Sequence, residues 1–143
     1  MTRSLASLAF HWVLGAAVVL ITLDPAFAQT CSPEIPGGKK LQSEQYVIAY
    51  RTAPSPVLMG RHFTLDFVVC ARSGAAEPAA VHVDAHMPEH RHGMNYETVV
   101  KPVERGRYQA EGLMFHMPGR WELLFEVQNG GGSARLTDTI LLK

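Results

Sequence analysis

The sequence predicts an all-β fold: an immunoglobulin-like antiparallel β-sandwich of about seven strands. Three observations carry that expectation. From Tyr46 to the C-terminus, apolar and polar residues alternate with period two in run after run. Turn signals separate the runs at short intervals, among them Pro54-Ser55-Pro56, Pro118-Gly119 and Asn129-Gly130-Gly131-Gly132. Nowhere in this part do apolar residues hold the i, i+3, i+4 stripe of an amphipathic helix. A small closed barrel is the alternative architecture.

The chain begins with an address. Arg3 supplies a short positive region, Leu5 to Leu23 is almost wholly apolar, and Asp24-Pro25 breaks the run. Ala26-Phe27-Ala28 then presents small residues at the −3 and −1 positions, so residues 1–28 read as a secretory signal peptide. The rival is an uncleaved anchor, because the run is about long enough for one short span. Pro25 and the Ala-x-Ala site argue for cleavage, which leaves a periplasmic or secreted chain with no membrane span. Residues 29–45 are polar, with Pro33, Pro36, Gly37 and Gly38, and read as a loose leader.

Residues 46–143 form the domain. Tyr46–Arg51 is the first run. In Arg61–Ala71, Phe63, Leu65, Phe67 and Val69 share one face, with Thr64, Asp66 and Val68 on the other. Val81, Val83, Ala85 and Met87 alternate with His82, Asp84 and His86. Tyr96–Pro102 follows, then a turn at Glu104-Arg105-Gly106 and two short runs, Arg107–Glu111 and Leu113–Met117. Trp121, Leu123, Phe125 and Val127 alternate with Glu122, Leu124 and Glu126, and Ala134–Leu142 is the last strand. Phe63, Phe67, Trp121 and Phe125, large aromatics at alternating strand positions, are the expected core.

Composition narrows the function. With 13 Lys+Arg against 13 Asp+Glu, the chain lacks the basic footprint of a nucleic-acid binder. Its 47% hydrophobic content is that of a folded domain. The 2 cysteines are too few for a disulfide-dense scaffold or a four-thiolate zinc site. In an oxidising compartment Cys31 and Cys70 are candidates for a disulfide with each other. A pair of thiolate metal ligands is the rival, although neither Cys lies near the other candidate ligands in sequence. Closing a loop of about 40 residues contributes roughly 4 kcal/mol in the chain-entropy model. No G-x-S-x-G elbow, H-E-x-x-H, P-loop or dinucleotide fingerprint is present, and the carboxylates are spread singly. The expectation is therefore a binding module and not an enzyme.

Histidine and methionine are unevenly spread. From Gln29 onward there are 6 His and 5 Met, and 6 of these lie between His82 and Met94. The local text is His86-Met87-Pro88-Glu89-His90-Arg91-His92-Gly93-Met94, and His116-Met117 stands before Pro118-Gly119. Thioether selects Cu(I) and imidazole suits either oxidation state, whereas zinc prefers Cys, His and carboxylate. Copper is the metal this mixture favours. In extended chain His90, His92 and Met94 share one side. His86 and Met87 are strand neighbours that face opposite ways, so they rank behind as ligands, and Met87 joins the Val81–Val83 face as core. Arg91 adds local positive charge, which Glu89 can offset.

The strings Met87-Pro88-Glu89-His90-Arg91-His92-Gly93-Met94, Gly106-Arg107-Tyr108 and Phe115-His116-Met117-Pro118-Gly119-Arg120-Trp121 resemble the YtkA-like domain family, whose annotation overlaps with FixH-type proteins. Its members are similar to the pattern M-P-x-H-x-H-G-M, then G-x-Y, then F-x-M-x-G-x-W, across about residues 45–143. The resemblance implies an exported immunoglobulin-like β-sandwich and, for some members, a link to copper delivery or cytochrome oxidase assembly. Position by position it carries His90, His92 and Met94 into the first motif and His116 and Met117 into the second. FixH proteins keep a membrane helix and a partner cation pump, whereas this chain reads as cleaved.

The expectation is thus an exported Cu(I)-binding protein. Met94 would act with two of His90, His92 and His116, Met117 would be a further soft ligand, and a copper acceptor or membrane oxidase-assembly protein would be the partner. The alternative is a non-metal interaction domain in which the same His/Met segment, expected as a loop because Pro88 stops the strand before it, shapes a partner-binding edge.

Overall fold

A computed structural model describes residues 31–143, so the signal peptide assigned to residues 1–28 lies outside the described residues. Two antiparallel sheets pack face to face as an immunoglobulin-like sandwich. The first sheet holds β1 (Lys39–Gln42), β2 (Tyr46–Ala53), β3 (His62–Ala71), β6 (Val99–Glu104) and β7 (Arg107–Met114), in the order β1-β2-β3-β7-β6. The second holds β4 (Ala80–Met87), β5 (His92–Gly93), β8 (Gly119–Asn129) and β9 (Gly132–Leu142), in the order β5-β4-β8-β9. No helix among the described residues is long and apolar enough to cross a membrane.

Alternation becomes burial where the two inner faces meet. Phe63, Leu65, Phe67 and Val69 of β3 and Trp121, Leu123, Phe125 and Val127 of β8 are all buried, as the period-two pattern expects. Phe67 meets Phe125 edge-on with centroids 5.4 Å apart, and Phe115 stacks on Trp121 at 4.5 Å. Such pairs add roughly 0.5–1.5 kcal/mol beyond their buried area.

Seven strands correspond to the expected runs, and the structure corrects three details. The leader is not loose throughout: β1 pairs with β2 from Lys39↔Tyr50 to Gln42↔Val47. Ile35 also covers Ala49, Val68 and Cys70 in a second small cluster outside the first sheet. That cover explains why Val68 is 2% exposed on a face read from sequence as outward. The runs Arg107–Glu111 and Leu113–Met117 are not two strands. They join as β7 through Gly112, whose φ of 87° suits glycine and where an added Cβ would lie 2.5 Å from the Glu97 carbonyl oxygen. The segment after Pro88, expected as a loop, carries the two-residue strand β5.

The Cys31–Cys70 disulfide is formed, with Cα atoms 5.5 Å apart, and this excludes the thiolate-ligand alternative for both. It ties the N-terminal segment to the end of β3. Along the side of the sandwich, Asp138 of β9 accepts hydrogen bonds from Lys39 at 2.8 Å and from the Tyr50 hydroxyl. Partial burial works to raise the Asp138 pKa, but the bonds from Lys39 and Tyr50 outweigh it and hold the carboxyl below its ordinary value. Burial, reinforced by the same carboxylate, pushes the Tyr50 hydroxyl far above its ordinary range.

Candidate functional site

The histidines meet at one end of the sandwich, where β4–β5 and β7–β8 turn. β4 stops at Met87 because Pro88 has no N–H to continue the ladder. The hairpin loop is Pro88–Arg91, and the Met87 carbonyl accepts from His90 N–H at 3.2 Å and from Arg91 N–H at 2.9 Å. Arg91 closes the turn at φ 55°, in the left-handed region that a side chain disfavours. The chain returns with His92 opposite Met87 and Gly93 opposite His86. Glu89 is held by Arg120 at 3.2 Å across the two turns.

His92 and His116 come from different hairpins. Their ring centroids are 5.2 Å apart, and the His90 ring lies 5.8 Å from that of His92. Trp121 forms the floor, edge-on to His116 at 5.4 Å and to His92 at 6.1 Å. Its indole N–H donates to the Met117 carbonyl at 3.0 Å, which pins the turn that presents His116. His92 Nδ1 lies 3.0 Å from the Gly93 carbonyl. A carbonyl only accepts, so Nδ1 is the donor in this contact and Nε2 is left free of it. His116 Nδ1 is buried and has no hydrogen-bond partner among the described residues.

The other candidate residues are placed differently. Met117 is half-buried against the core through its side chain. Met94 is half-buried against the same core and also lines a groove beside β4, shared with His82 and Asp84. Met87 is fully buried, with its Cε 2.8 Å from where a Cβ on Gly119 would sit. His86 lies on the opposite face of β4, directly across from Glu122 of β8. Among the described residues no group of three or more His, Cys, Asp or Glu side chains is arranged to hold a metal ion.

Sequence reasoning treated Trp121 as core only. It is core, but it also supports both imidazoles, and its adjacency to them through Phe115 and the Pro118-Gly119 turn was the available signal. The same end carries Leu58 and Met59, 53% and 52% exposed, in the β2–β3 connection. Gly60 N–H donates to the Phe115 carbonyl at 2.8 Å, which brings this connection beside His116.

Fold and site together define a small immunoglobulin-like sandwich with imidazoles from two turns gathered over a buried tryptophan. The chain belongs to the YtkA-like family, whose profile matches residues 40–125. Among solved structures it is similar to a DUF4426 family protein from Pseudomonas aeruginosa PAO1, at 13% identity and a TM-score of 0.48, covering 77% of this chain and 99% of that one. A search of curated proteins returned no match.

Proposed function

We propose that this is an exported copper-binding protein, not an enzyme, that carries Cu(I) at the His/Met end of the sandwich, in the periplasm or outside the cell. The observation that carries the reading is the approach of His92 and His116 to 5.2 Å from separate hairpins, with His116 Nδ1 buried and without a partner. An orphaned buried nitrogen costs roughly 1–3 kcal/mol and calls for an explanation. A bound ion supplies one.

The donor chemistry fits copper better than zinc, because the neighbouring donors are imidazole and thioether. His92 offers Nε2 and His116 offers its unpartnered nitrogen. His90, exposed on the turn, and the thioethers of Met117 and Met94, both packed partly on the core, are the further donors the proposal draws on. Bound there, the ion would be held by soft, exchangeable ligands. The chain's own residues supply the rest: Trp121 holds the turn at Met117, and the Gly93 carbonyl fixes the His92 ring. A shallow site of this kind suits transfer to an acceptor by ligand exchange.

The test is a Cu(I) competition titration of residues 29–143 against a chromophoric chelator, beside His92→Ala/His116→Ala. One tightly held copper that the double variant loses supports the reading. A second reading, a non-metal interaction domain, is favoured by the lack of a three-ligand His/Cys/carboxylate group among the described residues. Absence of competition by the unaltered protein would leave that reading standing.

A further inference from the structure

β4 has neighbours of unequal length. β8 pairs with it from Ala80 to His86, but β5 reaches only His86 and Met87. Met94 N–H makes one more bond to the Ala85 carbonyl, at 3.1 Å, before the chain leaves toward β6 in the other sheet. In an antiparallel strand, alternate residues send their backbone groups to alternate sides. Since the Ala85 carbonyl faces β5, the N–H and C=O of Val83 and Val81 face the same way, and no strand of the described sheet lies beside them. The Ala85 N–H itself is met by Asp84 Oδ1 at 2.7 Å, which ends the ladder there.

An open groove of about 540 Å³ runs along this bare edge, lined by His82, Asp84, Met94, Tyr96, Glu97 and Thr98. Thr98 Oγ1 is buried without a hydrogen-bond partner among the described residues. The walls are acidic. Asp84 and Glu97 take part in none of the ion pairs of the described residues, and Glu126, across from His82, is already engaged by Arg135 at 3.3 Å.

We propose that this edge docks a short extended segment of a partner protein bearing Lys or Arg, which adds to β4 as a strand where β5 leaves off. Edge strands with unpaired backbone groups are templates for such addition, main-chain bonds giving affinity and side-chain complementarity giving specificity. The bare stretch from Ala80 to Asp84 spans roughly 17 Å and accepts a segment of about five residues. A second copy of this chain is disfavoured as the occupant. Two-fold pairing of β4 with itself would set one acidic edge against another, and like charges across strands destabilise. The inference does not depend on copper.

The test uses ¹⁵N-labelled protein of residues 29–143 titrated with a blocked alternating Lys–Val peptide. Controls are the Glu–Val analogue and a Lys–Val peptide N-methylated at alternate positions. The expected result is a shift of the Val81 and Val83 amides on adding Lys–Val, with little response to either control. Asp84→Asn/Glu97→Gln should weaken binding about tenfold. Asn keeps the acceptor for the Ala85 N–H, and both side chains are exposed, so the variant should fold. Failure of Lys–Val to bind, equal binding of all three peptides, or shifts centred elsewhere would overturn the proposal. So would movement of the same amides on diluting the protein alone, because the occupant would then be a second copy.

Discussion

The two ends of the sandwich are built to opposite standards. At the end where β3 and β8 finish, polar groups are answered: the Tyr46 hydroxyl donates to the Ala76 carbonyl and accepts from Asn129, both at 2.8 Å. Arg72 reaches the Ser43 carbonyl at 2.8 Å, and the Cys31–Cys70 disulfide joins the N-terminal segment to β3. At the other end His116 Nδ1 is unanswered, Arg91 stands in left-handed backbone, and Leu58 and Met59 face water. Unmet polar groups and strained turns persist only where the surrounding structure holds them, and they gather at functional sites. The contrast supports placing the proposed site at the end that stability alone would have built differently.

Replacing Cys31 and Cys70 together by Ser should break the well-satisfied end. The expected loss is about 4 kcal/mol in denaturant unfolding, while the copper stoichiometry that the proposed function expects of the folded fraction stays unchanged. Loss of copper binding under native conditions would show that the two ends are coupled.

Asp138, on the side between the ends, tests the buffering of the fold by charge. Its pKa is lowered on folding, so its contribution to stability is full above the unfolded carboxylate value of about 3.9 and is lost as pH falls through the folded value. Asp138→Asn should therefore be less stable than the unaltered protein near neutrality, with the gap closing on acidification below about pH 4. A gap independent of pH would assign the effect to packing.

The site end should show the reverse trade. His116→Phe removes a buried unpartnered nitrogen while keeping a ring against Trp121, so thermal unfolding should report a gain of about 1 kcal/mol, together with loss of the copper binding proposed above. A destabilised variant would mean that His116 Nδ1 finds a partner in solution. The smallest effect belongs to Arg91→Gly. Relief of a left-handed side chain, worth roughly 1–2 kcal/mol, is offset by the chain entropy of glycine, roughly 0.5–1 kcal/mol. The net stabilisation should be roughly 0.75 kcal/mol at mid-range, and the proposed copper affinity should be nearly unchanged.

The strands were legible because sheet burial is local in sequence: every second side chain from Phe63 to Val69 and from Trp121 to Val127 meets the facing sheet. The candidate site was legible in part. The His/Met spacing singled out His90, His92 and His116, which the two hairpins bring together, and it grouped Met94 with them on the assumption of extended chain. The turn at Arg91 interrupts that geometry between His90 and His92, while Met94 follows His92 past β5 to pack on the core and line the groove beside β4. β1 was missed because its residues follow no apolar alternation, and its order depends on pairing with β2 and on the disulfide at Cys31.

By itself, then, the sequence determined seven of the nine strands of the described residues, the buried aromatic face, the candidate donors and the identity of the two cysteines that could pair. Only the tertiary structure decided which donors meet, because His92 and His116 belong to turns remote in sequence and are joined by the packing of both on Trp121. It also decided that β4 keeps a bare edge. Whether a backbone group finds a partner depends on where the neighbouring strand stops, and no periodicity along a single strand records that.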